Sequence, residues 1–213
     1  MNFSSEHIET ELQNRWKYPY QWGKRQNDEW DKFTNFIYET ETWESLVEKM
    51  KNKTQIHQLD KNAFFQYAAN RWYNFWSAVA VEKIFTEIRG VEPALNHKNR
   101  LVDFSIFGIN FDHKTSVFPK GFGQTLHYAQ THTEEMLYWL YKNQSQQGRK
   151  HHENRLFIIV FNSNGEHWKL KAEISWLKSK ILDYVATFEA SKLTKLEFPT
   201  GKTAVSDIIW AIK

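Results

Sequence analysis

Two carboxylates and an amine fall within one short, largely apolar stretch of the chain, Leu101–Val117. They belong to Asp103, Asp112 and Lys114, and the surrounding residues are rich in β-branched and aromatic side chains, as is typical of strands. Asp112 and Lys114 are two positions apart, so in a strand their side chains share one face, about 7 Å apart. Two carboxylates held close together repel each other unless a proton or a cation lies between them. The stretch therefore predicts a site for a hard divalent cation such as Mg²⁺.

The same stretch predicts two strands, because Gly108 and Asn110 indicate a tight turn in its middle. If the strands pair as a hairpin, Asp103 comes beside Asp112. The second strand alternates in character, and the side chains opposite Asp112 and Lys114 are those of Phe111, His113, Thr115 and Val117. The alternative is an ordinary hairpin without a functional site, in which Asp112 and Lys114 form an exposed ion pair worth under ~1 kcal/mol.

A long helix without glycine or proline is predicted from Asn62 to Arg89, and from Trp72 onward it is apolar nearly all round. Glu82 lies within this apolar part, where a carboxylate is costly unless it has a partner. One interpretation is that Glu82 belongs to the metal site. The other is that Glu82 only forms a structural ion pair, with Lys83, Lys114 or Arg89. Glu87 is the competing acid, and it lies nearer the exposed end of the helix.

The order of these charged residues resembles a known signature. Asp103, eight intervening residues and the run Asp112-His113-Lys114 resemble the D-x(n)-(D/E)-x-K motif of the PD-(D/E)xK nuclease superfamily, which has the restriction-endonuclease-like fold. The sequence departs from the commonest form of the motif at two positions. Val102 stands where that form has proline, and the second acid is aspartate rather than glutamate.

The resemblance implies metal-assisted hydrolysis of a phosphodiester bond. Asp103 and Asp112 would hold one or two Mg²⁺ ions, which Mn²⁺ can replace, and the backbone carbonyl of His113 would be a further ligand. Lys114 would orient the attacking water and stabilise the charge that builds on the phosphate. Glu82 would complete the metal shell, because a helix before the motif strands commonly supplies a glutamate in this superfamily.

Three further residues are assigned to substrate binding. Gln124 and Tyr128 resemble the Q-x-x-x-Y motif that follows the catalytic lysine in RecB-type members of the superfamily. A helix is predicted from Gln124 to Asn143, and residues four apart share one helix face, while a helix N-terminus favours phosphate. Lys120 lies in the loop over residues 118–123 that precedes this helix.

Length and composition indicate one globular domain. The chain has 213 residues, of which 41% are hydrophobic, and it has no cysteine, so neither a disulfide framework nor a thiolate metal site can form. The order of predicted elements favours an α/β fold with a central mixed β-sheet flanked by helices. Together with the resemblance, it predicts a restriction-endonuclease-like core over residues 61–213 and a helical extension over residues 1–60.

The resemblance implies a magnesium-dependent DNA endonuclease of the restriction type or from a phage or mobile element. The formal net charge of +3 permits nucleic-acid binding, and site-specific restriction enzymes usually form dimers, so a homodimer is compatible with this class. No run of eighteen apolar residues occurs, so a cytoplasmic protein without a membrane partner is expected. The alternative is a catalytically silent nucleic-acid-binding or assembly module on the same fold, in which Asp103 and Asp112 bind no metal.

Overall fold

The computed structural model describes residues 4–22, 26–94, 101–143 and 152–213. The α-helices are α1 (Ser5–Gln13), α2 (Asp28–Phe33), α3 (Trp43–Ile56), α4 (Lys61–Thr86), α5 (Leu126–Thr131), α6 (Thr133–Asn143) and α7 (Ile174–Ala186). The strands are β1 (Val91–Pro93), β2 (Phe104–Ile106), β3 (Ile109–Val117), β4 (Arg155–Phe161), β5 (Thr194–Glu197) and β6 (Thr203–Ile212). The chain divides into two compact units, Met1–Val81 with Trp168–Trp176, and Glu82–His167 with Leu177–Lys213.

The first unit is helical, and its helices begin at side chains that accept hydrogen bonds from free backbone amides. Ser4 caps α1, Asn27 caps α2 and Thr42 caps α3, each accepting a bond from the amide three residues further on. The part of α4 in this unit is apolar on most sides, and its largest side chains, Trp72 and Trp76, are buried. Packing of apolar side chains on several sides of α4 therefore holds this unit together.

The second unit is built on a six-stranded mixed sheet with the strand order β1-β2-β3-β4-β6-β5. The pairs β1–β2, β2–β3 and β5–β6 are antiparallel. The pairs β3–β4 and β4–β6 are parallel. This arrangement confirms the predicted α/β class with a central mixed sheet flanked by helices.

Each face of the sheet packs against different elements. On one face, Leu137 of α6 belongs to the same core cluster as Phe157 of β4. On the other face, the hydroxyl of Tyr184 in α7 donates a hydrogen bond to Asp207 of β6 at 3.0 Å. The first six residues of β4, from Arg155 onward, are buried, because this strand lies between two parallel neighbours and is covered on both faces.

The turn that joins β2 to β3 differs from the predicted one. Ile106 pairs directly with Ile109, so the connection consists of Phe107 and Gly108, whose φ angles are +46° and +86°. A two-residue hairpin of this kind matches the twist of the strands because both central residues have positive φ. Asn110, which was expected in the turn, lies in β3 instead, because the shorter turn adds one more pair of residues to the ladder.

Candidate metal centre

Asp103 directly precedes β2 and extends its pairing with β3. The Asp103 backbone N–H donates to the carbonyl oxygen of Phe111 at 2.8 Å, and the Asp103 carbonyl accepts from the N–H of Ala94 at 3.1 Å. The Oδ2 atom of Asp103 then accepts a hydrogen bond from the backbone N–H of His113 at 2.7 Å. The Asp103 carboxylate therefore takes the place of a backbone carbonyl in bonding to β3, and the register of the hairpin fixes its position.

The imidazole of His113 lies against this carboxylate, and only 2% of the His113 side chain is exposed. Its Nδ1 atom is 3.3 Å from Asp103 Oδ2 and 3.6 Å from Glu82 Oε1. The ring also stacks on Phe104, with the ring centroids 6.0 Å apart. His113 thus enters the cluster through its side chain, whereas the resemblance implied a role for its backbone carbonyl.

Glu82 reaches the cluster from the last part of α4. Phe85, three residues further on, stacks on Phe104 with the ring centroids 4.3 Å apart, and this contact holds the end of α4 over β2. The Glu82 side chain is 42% exposed, and its Oε1 atom lies 3.6 Å from Nδ1 of His113. Lys114, one of the structural partners considered for Glu82, also acts on it through its charge.

The competing acid, Glu87, lies outside the cluster. Its carboxylate is 3.9 Å from the Lys83 amine and 4.0 Å from the Lys178 amine. All three side chains in these pairs are well exposed, so the pairs are surface ion pairs of small energetic weight. The structure therefore places Glu82, and not Glu87, beside Asp103.

One ligand atom from each of Glu82, Asp103 and His113 can be chosen so that all three lie within 4.8 Å of one another. Partial burial raises the pKa of Glu82, and the nearby Asp103 adds to the rise against the charges of His113 and Lys114. Burial also works to raise the pKa of Asp103, but the hydrogen bonds and the charge of His113 outweigh it and lower this pKa. A divalent cation between the two carboxylates would favour the charged form of both.

Two buried polar atoms on this face of β3 have no hydrogen-bond partner within the residues that the structure describes. They are Nε2 of His113 and Oγ1 of Thr115. These residues are two positions apart, so their side chains lie on the same face of the strand. Buried polar atoms are nearly always paired. This face therefore has the capacity for a further polar ligand.

The side chains of Asp112 and Lys114 lie on the opposite face of β3 from His113 and pair with each other and with Arg155, while the charges of both still act on Glu82. Asp112 Oδ1 is 2.7 Å from the Lys114 amine, and Asp112 Oδ2 is 2.9 Å from Arg155 Nε. The side chains of Asp112 and Arg155 are 8% and 7% exposed. The structure therefore does not bring the carboxylate of Asp112 beside that of Asp103, because adjacent strand residues face opposite ways and His113 takes the inward position.

Arg155 is a residue that the sequence analysis missed. It is the first residue of β4 and lies directly opposite Asp112 in the parallel ladder. Its guanidinium also lies over the ring of Tyr141, 5.2 Å from the ring centroid. The available signal was an arginine at the first position of an otherwise apolar strand, since a buried cation needs an anion nearby.

The three residues assigned to substrate binding lie beyond the C-terminal end of β3. Lys120 begins a short 3₁₀-helix, and its charge adds to burial in lowering the pKa of His167. Gln124 lies outside α5, because it precedes the N-cap Thr125. The prediction that Gln124 and Tyr128 share one helix face is therefore wrong. Tyr128 donates to Glu135 at 2.9 Å. The predicted helix over residues 124–143 is two helices, because the chain breaks at His132.

Comparisons with protein-family models, with curated proteins and with solved structures find no match. The interpretation of the site therefore rests on its own geometry. Within the described parts of the chain, no helix combines the length and the apolar character needed to cross a membrane.

Proposed function

We propose that this protein is a metal-dependent phosphodiesterase that cuts DNA, and that Glu82, Asp103 and His113 hold its divalent cation. The observation that carries the proposal is the approach of these three ligand groups to within 4.8 Å of one another. They come from a helix, the residue before a strand and a strand, so a rigid scaffold positions all three. Asp112 and Lys114 then belong to the support of the site rather than to its metal ligands.

The donor set fits a hard or borderline divalent cation. Two carboxylates suit Mg²⁺ and Mn²⁺, and an imidazole shifts the preference toward Mn²⁺. The raised pKa of Glu82 supports this assignment, because a bound cation would favour the charged form of that carboxylate. When bound, the cation would supply Lewis-acid stabilisation of the charge that develops on phosphate oxygens.

The chain's own groups orient the ligands and the substrate. The backbone N–H of His113 fixes Oδ2 of Asp103, so this carboxylate has one defined position. Asp112 holds the amine of Lys114, whose side chain is 46% exposed and open to an anionic substrate. The charge of Lys114 acts on both Glu82 and Asp103. In the proposed reaction, Lys114 stabilises negative charge on the phosphate.

The proposal includes a restriction-endonuclease-like core, in which the hairpin of β2 and β3 is followed by β4 in parallel to β3. It also includes DNA as the substrate, which the net charge of +3 permits. A homodimer would allow two sites to meet the two strands of a duplex. These parts of the proposal rest on the resemblance of Asp103 and Asp112-His113-Lys114 to the nuclease signature.

A cleavage assay tests the proposed activity. Supercoiled plasmid, single-stranded DNA and branched DNA are incubated with the protein and either Mg²⁺ or Mn²⁺. We expect metal-dependent cutting of at least one substrate, and a loss of about 100-fold or more in Glu82→Gln and Asp103→Asn. Glu87→Gln is the matched control, and it retains full activity. Equal cutting by wild type and Asp103→Asn would rule out the proposed site.

One observation favours the second candidate, a silent nucleic-acid-binding or assembly module. Both oxygens of Asp112 are already paired with cations, so the acidic pair of the resembled signature is not assembled in one place. This candidate predicts that the protein binds neither Mg²⁺ nor Mn²⁺ and retains DNA binding in the presence of a chelator. The enzyme requires the cation, so calorimetry with Mn²⁺ separates the two candidates.

A further inference from the structure

The helical unit contains a groove between α3 and α4 that has no part in the proposed catalysis. Its volume is about 720 Å³, and every residue that lines it belongs to that unit. Cavities of roughly 300–1,000 Å³ are the usual size of small-molecule sites in proteins. The groove therefore has the dimensions of a ligand site.

The wall of this groove is mainly apolar. Val47 and Met50 lie three residues apart on α3, and Phe65 faces them from α4. Tyr18 also lines the groove, and its ring meets Phe65 edge to face with the centroids 4.9 Å apart. Leu59, in the connection between the two helices, completes the apolar surface. Such a wall favours a hydrocarbon or aromatic group.

The charges on the wall have one sign. Lys51 of α3 and Lys61 of α4 line the groove, and no aspartate or glutamate does. Within residues 4–22, 26–94, 101–143 and 152–213, neither lysine forms an ion pair with an acid. The nearest acid in sequence, Asp60, caps α4 by accepting a bond from the N–H of Ala63 at 2.7 Å and is not on the wall. The groove thus offers two unpaired ammonium groups beside an apolar surface.

We propose that this groove binds a small apolar molecule with a single carboxylate, of the fatty-acid class. The apolar wall removes the chain of such a ligand from water, and Lys51 and Lys61 pair with its head group. The combination of an apolar wall and two lysines disfavours two other classes of ligand. A cationic amphiphile would meet two like charges, and a nucleic acid would meet an apolar wall with only two cations.

Displacement of the fluorescent anion 1-anilinonaphthalene-8-sulfonate from the full-length protein measures the binding. The competitors are dodecanoate, dodecanol and dodecyltrimethylammonium, which share one chain length and differ in head-group charge. We expect dodecanoate to displace the probe most strongly. Lys51→Gln/Lys61→Gln weakens dodecanoate about tenfold, which is the loss of one or two exposed ion pairs, and leaves dodecanol nearly unchanged.

Two controls place the effect in the groove. Lys142→Gln removes an equal charge from an exposed lysine of α6 and leaves dodecanoate binding unchanged. Val47→Trp fills the groove from a half-buried position and weakens dodecanoate and dodecanol together. The proposal is overturned if dodecanoate does not bind, if the cationic competitor binds equally well, or if neither Val47→Trp nor the double lysine variant changes its affinity.

Discussion

Along β3, the alternation of side chains decides which charged groups meet. Asp112 and His113 are neighbours in sequence, yet the first pairs with Arg155 and the second with Asp103. Both oxygens of Asp112 are therefore held directly by cations, whereas Glu82 and Asp103 lie beside the same imidazole and feel Lys114 only through its charge. We therefore expect Glu82 and Asp103, rather than Asp112, to bind a cation.

Asp112→Asn tests whether Asp112 stabilises the fold through Arg155 rather than binding the cation. The change leaves Arg155 buried without an anion, so we expect the free energy of unfolding to fall by about 3–5 kcal/mol. Lys114→Gln removes the exposed partner and costs under about 1 kcal/mol. Urea denaturation measures both variants, and calorimetry measures their affinity for Mn²⁺, which Asp112→Asn leaves unchanged. A stable Asp112→Asn variant without Mn²⁺ affinity would place Asp112 among the metal ligands instead.

Asp207 introduces a pH dependence of stability. Burial raises the pKa of this carboxyl above its usual value, although Tyr184 and the amide of Ile208 donate to it. Between the unfolded pKa, about 3.9, and the higher folded pKa, the folded state binds more protons. The free energy of unfolding therefore falls as the pH rises through this window. In urea denaturation between pH 4 and pH 7, Asp207→Asn shows a smaller fall than wild type.

Asp183→Asn is the control for this measurement. Asp183 is an exposed acid of α7, one position before Tyr184. Its replacement leaves the pH dependence of the wild-type protein in place. Identical pH profiles for wild type and Asp207→Asn would show that Asp207 has the same pKa in the folded and the unfolded chain.

Among the secondary-structure elements, those with a strong local pattern were predictable. The apolar run that begins at Arg155 forms the central strand β4, and the apolar helical periodicity forms α4. The N-cap of α3 is Thr42, a residue type that commonly begins helices. In each case the signal lies in the same few residues that form the element.

The break between α5 and α6 and the faces of β3 were harder to predict. The hydroxyls of Thr131 and Thr133 bond to backbone carbonyls, and these bonds compete with a continuous helix at His132. The pairing of Asp112 with Arg155 joins residues 43 positions apart, so no local pattern contains it. Which side chains meet in the proposed metal site therefore depends on tertiary pairing, which a single sequence does not specify.

Two glycines beside the hairpin separate backbone strain from crowding. Gly90 and Gly108 both have positive φ, but a Cβ on Gly90 would overlap the ring of Phe107, whereas one on Gly108 meets nothing within 4 Å. We expect Gly108→Ala to cost about 1–2 kcal/mol from backbone strain alone, and Gly90→Ala to cost more. Thermal denaturation compares them.

The double variant Gly90→Ala/Phe107→Ala removes the overlapping ring. It should lose less stability than the sum of the two single changes. Equal losses for Gly90→Ala and Gly108→Ala would show that the Phe107 ring moves aside without cost.

At the scale of the whole molecule, the two proposed sites lie in different units. The groove belongs to the helical unit, and the cluster of Glu82, Asp103 and His113 belongs to the unit that contains the sheet. Each site can therefore be altered without touching the lining of the other. The proposed catalysis depends on a cation bound at this cluster.

Calorimetric titration of the metal-free protein with Mn²⁺ tests most directly whether this cation binds. Wild type and Glu87→Gln should bind one cation or more with the same affinity. Glu82→Gln and Asp103→Asn should each bind at least about tenfold more weakly, because each removes a charged ligand. Equal binding by all four proteins, or no binding by wild type, would contradict the assignment of Glu82, Asp103 and His113 as a metal centre.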